Sequence, residues 1–168
     1  ACSEVGAASS GATTRQQTAM RHFGMYLGLC FQLKDDVFDF SDIEDLGKPT
    51  MNDIRDGKAT LPIIKSLQRA TKDEEEHIKE LAESLANKLH HIDSFEAEQE
   101  IRSFVLRYDG IRYAHQLMEK YRKKAIAALS IFPSVSVKTF FLSIIPAPVF
   151  SLNSFTNAAV IIIKPPYI

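Results

Sequence analysis

The stretch Phe31-Gln32-Leu33-Lys34-Asp35-Asp36-Val37-Phe38-Asp39 sets three carboxylates in an otherwise apolar run. Their spacing of i, i+1 and i+4 puts Asp35, Asp36 and Asp39 on one face of an α-helix, about one turn apart. Carboxylates that close repel one another, and burial would push their pKa values up. A multivalent cation relieves both effects. An all-oxygen donor set suits a hard ion, and Mg²⁺ in particular when phosphate oxygens complete its shell. The competing reading is a solvated acidic patch at the end of a helix.

Towards the N-terminus the same stripe continues through Gln32, Gly28 and Gly24. The glycines carry no side chain, so this wall of the helix is expected to stand open above the acids. Gln32 adds a neutral donor one turn before them. The other faces carry Phe23, Tyr26, Leu27, Phe31, Leu33, Val37 and Phe38, as a helix packed into a core requires. Towards the C-terminus, Gly47, Pro49 and Gly57 mark a structured loop over residues 41–57. Lys48 and Lys58 flank Asp53 there. A lysine is a compact point charge suited to a phosphate, although ordinary exposed loop lysines would look the same.

The rest of the chain to residue 140 reads as helix. Residues 12–40 predict one or two long helices, and Thr60–Arg69 a short one with Pro62 in its first turn. Thr71-Lys72-Asp73-Glu74 is a capping-box pattern opening a helix to about Leu89. Ser94 opens another, ending near Asp109-Gly110, and Ile111–Phe132 forms a last long helix with a basic, solvated end at Lys120–Lys124. No convincing strand pattern occurs before residue 140.

A formal net charge of −1 over 168 residues gives no basis for a nucleic-acid surface. Cys2 and Cys30 lack metal-ligand spacing and are expected to be buried thiols in a reducing, cytoplasmic setting. His22, His77, His90, His91 and His115 form no ligand pair and read as surface or packing residues. Ile43 and Leu46 stand where a calcium-binding loop would need ligands and a turn glycine, so the acidic run after Asp39 is not an EF-hand.

FQLKDDVFDF followed by LGKPTMNDIRDGKATLP resembles the second aspartate-rich motif and the following loop of the trans-polyprenyl diphosphate synthases (the polyprenyl synthetase family). FQxxDDxxD, GKxxxxD and GKxTLP are matched in order and spacing. Gly110-Ile111-Arg112-Tyr113-Ala114 is similar to the family's G-I-x-Y-A, and the resemblance covers residues 1–140. It implies an all-α fold, the C-terminal part of the isoprenoid-synthase helical bundle. It implies a prenyltransferase that condenses an allylic diphosphate with isopentenyl diphosphate, uses Mg²⁺, and forms a homodimer when full length. Under the resemblance Asp35 and Asp36 match acids that bind Mg²⁺, Asp39 matches the third acid of that motif, and Asp53 matches one that holds a metal-bound water. Gln32 matches a glutamine at the diphosphate. Lys48 matches the lysine that neutralises the leaving diphosphate, and Lys58 the lysine of the last loop, so both count as catalytic and diphosphate-binding candidates.

Two departures shape the expectation. The family's first aspartate-rich motif lies upstream on a facing helix and has no counterpart in this chain. We therefore expect the C-terminal part of a longer protein, holding one jaw of a metal clamp and inactive alone. Residues 141–168 hold a single charge, Lys164, and are expected to form a divergent apolar tail beyond the family domain. Pro146, Pro148 and the polar run Asn153–Asn157 argue against a membrane span there. Two alternatives stand beside the enzyme: a non-catalytic regulatory subunit of a heteromeric prenyl synthase, and a helical adaptor with an incidental acidic patch.

Overall fold

A computed structural model describes residues 1–40, 51–88, 93–133, 138–139 and 143–145. The chain is all-α, as expected. The three-acid stretch ends its longest helix, α2 (Thr14–Phe38), which follows a short α1 (Cys2–Ser9). Thr13 opens α2 with a capping box: its hydroxyl accepts the Gln16 N–H, while the Gln16 side chain accepts the Thr13 N–H at 2.9 Å. Beyond the acids come α3 (Asn52–Arg55), α4 (Leu61–Leu67), α5 (Lys72–Ala86), α6 (Ser94–Arg107) and α7 (Gly110–Ala128), closed by a 3-10 turn at Leu129–Ile131.

Helix α7 lies antiparallel along the inner face of α2. Tyr26 stacks on Tyr121 with ring centroids 5.9 Å apart, and the Cys30 thiol donates to the Met118 carbonyl at 3.5 Å. Phe23, Ala125, Leu129 and Ile145 close one end of this seam. A second core gathers Phe40, Met51, Ile54, Ile78, Leu85, Ile101, Phe104 and Val105 from the end of α2 and from α3, α5 and α6. Each fully buried large side chain, such as Phe23 or Ile101, contributes about 1.5–3 kcal/mol. Helices α5 and α6 run antiparallel, with Glu74 accepting from Arg107 and Tyr108, and His77 facing Glu100 at 2.7 Å. The acidic end of α2 thus sits where the two cores meet.

The expected helix starts hold closely, because their caps are local. Thr71 and Glu74 form the predicted capping box, and Pro62 lies in the first turn of α4. Several ends differ. Helix α5 stops at Ala86, with Lys88 in the left-handed region at φ 52°; Leu89 lies outside the described residues. Helix α6 starts at Ser94 as expected, under an Asp93 cap whose carboxylate accepts from the N–H groups of Phe95 and Glu96, but ends at Arg107. The last helix ends at Ala128 and tightens into the 3-10 turn rather than continuing to Phe132.

Two local expectations are corrected. The glycine wall is closed at Gly24, where a β-carbon would meet the Ser3 hydroxyl at 2.6 Å; glycine there lets α1 cross α2. It stays open at Gly28, where an added β-carbon would meet no described atom within 4 Å outside the helix's own backbone. Cys2 is exposed, because α1 lies on the outside of α2 and buries none of its residues fully, whereas Cys30 is buried as expected. Among the histidines, His77 is exposed and His115 buried; His90 and His91 lie outside the described residues. The expected tail, 141–168, also lies outside them apart from Ser143–Ile145. No helix among the described residues is long and apolar enough to cross a membrane.

Candidate functional site

The predicted stripe on α2 forms. Gln32 donates its amide to Asp36 Oδ1 at 2.9 Å, one helical turn on. Asp36 is 7 % exposed, and its second oxygen, Oδ2, accepts the backbone N–H of Leu61 at 3.0 Å. Leu61 is the first residue of α4, so Asp36 satisfies one of the donors that a helix start leaves without an intrahelical partner. Asp39 does the same for α3. Its Oδ2 accepts the Asp53 N–H at 3.2 Å, and the N–H groups of Asn52 and Ile54 also bond it. The Asp39 carbonyl takes the Met51 N–H at 2.9 Å. Asp35 is exposed, and its carboxylate has no hydrogen-bond or ion-pair partner among the described residues.

Burial pushes the Asp39 carboxyl above its ordinary pKa, and the neighbouring Asp53 charge adds to this; the three N–H groups act in the opposite direction. Asp53 accepts the Lys58 ammonium at 3.0 Å, and Asp56 accepts it at 3.1 Å. Those two hydrogen bonds, to Asp53 first, raise the Lys58 pKa, so this exposed lysine is charged throughout the neutral range. Its backbone N–H also returns to the Asp53 carbonyl at 2.8 Å, folding the Asp53–Lys58 segment into a tight unit.

The structure therefore brings Gln32, Asp35, Asp36 and Asp39 to one end of α2, and links Asp53 and Lys58 to that end through Asp39. Lys48 lies outside the described residues. The donor chemistry fits a hard cation, since every candidate ligand is a carboxylate oxygen. The described residues offer only part of a shell: no three His, Cys, Asp or Glu among them are placed to hold an ion. A groove of about 660 Å³, lined by Ser3, Gly6, Gln16, Met20 and Phe132 among others, lies towards the opposite end of α2 and does not reach the acids.

Supporting residues of the site were missed at the sequence level. Arg102 on α6 donates to the Phe40 carbonyl at 2.6 Å and so holds the end of α2. Arg55 on α3 grips Glu98 on α6 through Nε and Nη2, at 2.7 and 2.6 Å. Thr60 is 5 % exposed, with a hydroxyl lacking a hydrogen-bond partner among the described residues. No local pattern marks any of the three, because their partners lie far away in sequence or, for Thr60, are not supplied.

The family model described as "Polyprenyl synthetase" matches residues 1–98, which include the whole acidic stretch, Asp53 and both loop lysines. The chain belongs to that family. This polyprenyl synthetase chain is 36 % identical over 137 residues to geranylgeranyl diphosphate synthase of Sulfolobus acidocaldarius, covering 81 % of the chain and 39 % of the relative. It is 29 % identical over 136 residues to octaprenyl diphosphate synthase of Haemophilus influenzae, covering 80 % and 39 %. Among solved structures, a polyprenyl synthase from Caulobacter crescentus, complexed with calcium and isoprenyl diphosphate, matches with a TM-score of 0.69. Identity there is 30 %, over 84 % of this chain and 42 % of that one. The polyprenyl synthetase chain thus spans about two fifths of the length of the relatives it matches.

Proposed function

We propose that this chain supplies the diphosphate-facing wall of a Mg²⁺-dependent prenyltransferase, which joins an allylic diphosphate to isopentenyl diphosphate. The carbon–oxygen bond of the allylic substrate breaks, and its electron pair leaves with the diphosphate. The double bond of isopentenyl diphosphate attacks the allylic cation, and a proton is then lost to the departing diphosphate. Bound Mg²⁺ would supply Lewis-acid stabilisation of the negative charge growing on that leaving group.

The observation that supports this reading is the chain of contacts from the acidic end of α2 through Asp39 and Asp53 to the Lys58 ammonium. Asp35, exposed and without a partner among the described residues, presents its carboxylate to a cation. Lys58, held by Asp53 and Asp56, presents a permanent positive charge to diphosphate oxygens. Lys48, ten residues earlier in the same segment, is proposed as the second such charge, and Asp53 as the acid that holds a metal-bound water. Gln32 places an amide beside the acids. No side-chain nucleophile is required. Geranylgeranyl and octaprenyl synthases both stand among the relatives, so product length is left open. Homodimeric assembly and a cytoplasmic setting belong to the proposal through the family resemblance. Because the chain matches under half of each relative, we propose that it is inactive without the remainder of such a protein.

The test is isopentenyl diphosphate incorporation by the full-length protein with an allylic primer and Mg²⁺. Asp35→Ala should abolish most of the turnover; undiminished turnover would overturn the assignment.

A further inference from the structure

Asp36 and Asp39 differ from Asp35 in what already surrounds them. Asp36 is almost fully buried, and each of its oxygens already accepts one hydrogen bond, from Gln32 and from the Leu61 N–H. Asp39 gathers the N–H groups of Asn52, Asp53 and Ile54. The two acids thereby bind the first turns of two successive helices to one turn of α2. Lys58 lies between these attachments, three residues before Leu61 and held at its other end by Asp53.

We infer that Asp36 and Asp39 are positioning residues: each acts as a helix cap in trans, and together they fix Lys58 and Asp53 relative to Asp35. This rests on the proposed diphosphate chemistry, which requires cationic and anionic groups held at a set separation. Capping depends on an accepting oxygen, not on charge, and Asn is as good a cap as Asp. In Asp36→Asn, the Asn oxygen accepts the Leu61 N–H, and a turn of the Gln32 amide lets its oxygen accept from the new NH₂. A cation ligand behaves differently, because losing the negative charge removes the interaction itself.

The experiment compares Asp35→Asn, Asp36→Asn and Asp36→Ala in the full-length protein. One measurement is Mg²⁺-dependent binding of inorganic pyrophosphate by calorimetry. The other is hydrogen exchange of the peptide spanning residues 58–66. Asp36→Asn should keep the exchange protection and lose at least ten times less pyrophosphate affinity than Asp35→Asn. Asp36→Ala should exchange faster by about tenfold or more, as expected for a half-buried N–H that loses its acceptor. Should Asp36→Ala fail to fold, Asp36→Asn alone decides. If Asp36→Asn keeps its protection but loses as much affinity as Asp35→Asn, Asp36 is a cation ligand and the inference falls. If the wild type binds no pyrophosphate with Mg²⁺, the proposed function falls instead, while the exchange comparison still tests the cap.

Discussion

A β-carbon on Gly110 would lie 2.2 Å from the carbonyl oxygen of Pro62 and 2.4 Å from the Ser66 hydroxyl. The start of α7 therefore presses directly on α4, against the Pro62 carbonyl and the Ser66 side chain. Ser66 is itself pinned, donating to the Pro62 carbonyl at 2.9 Å. A clash with backbone cannot be relieved by a rotamer change. Gly110→Ala should destabilise the protein by about 2 kcal/mol or more, as overpacked sites do. Urea unfolding checks this: the midpoint should fall while the slope stays unchanged. An unshifted midpoint would mean that α7 can slide off α4 at no cost.

Lys58 separates chemistry from stability. Its side chain is 61 % exposed and its partners are acids at the surface, so Lys58→Ala should leave the urea unfolding midpoint essentially unchanged. Under the proposed diphosphate chemistry, losing this charge should lower kcat of the full-length protein by roughly a hundredfold. Equal kcat in mutant and wild type would leave Lys58 as an ordinary surface lysine.

The fold was largely legible because its signals are local. Thr71 and Glu74 lie three residues apart and cap one helix, so sequence alone exposes them. Thr13 and Gln16 carry the same signal, and noting it would have set the start of α2 at once. Gly24 misled for the opposite reason: what faces it is Ser3, across a helix crossing that no periodicity encodes. In the site, the spacing of Gln32 and Asp36 correctly placed both on one stripe. The destination of the Asp36 carboxylate was invisible, because Leu61 is 25 residues away and contributes only its backbone.

Burial of His115 holds its pKa below the ordinary 6.5. The unfolded chain therefore takes up this proton more readily than the folded one. The stability at stake is fully present above pH 6.5 and is lost as the pH falls below it towards the folded value. The loss cannot exceed about 1.4 kcal/mol per pH unit. Urea unfolding at pH 7.5 and pH 5.5 should show a smaller decline for His115→Gln than for wild type. Equal declines would show that His115 takes up its proton as readily folded as unfolded.

The two thiols should react at very different rates. Cys2 is exposed, whereas Cys30 is fully buried and its pKa is raised to about 11, mainly by burial. A thiol reagent at neutral pH should titrate one of these two cysteines quickly in the native protein and both in denaturant. Rapid native modification of Cys30 would contradict the tight seam between α2 and α7.

The Leu61 N–H donates to Asp36, and the Met51 and Asp53 N–H groups donate to Asp39, so residues 51–61 are tied at both ends to a single helical turn. Between the ties, Met51 and Ile54 are buried in the core shared with α5 and α6, so the segment that carries Lys58 is anchored by packing as well as by hydrogen bonds. The lysine proposed to meet the diphosphate thus rides on a segment whose two ends answer to one turn of one helix.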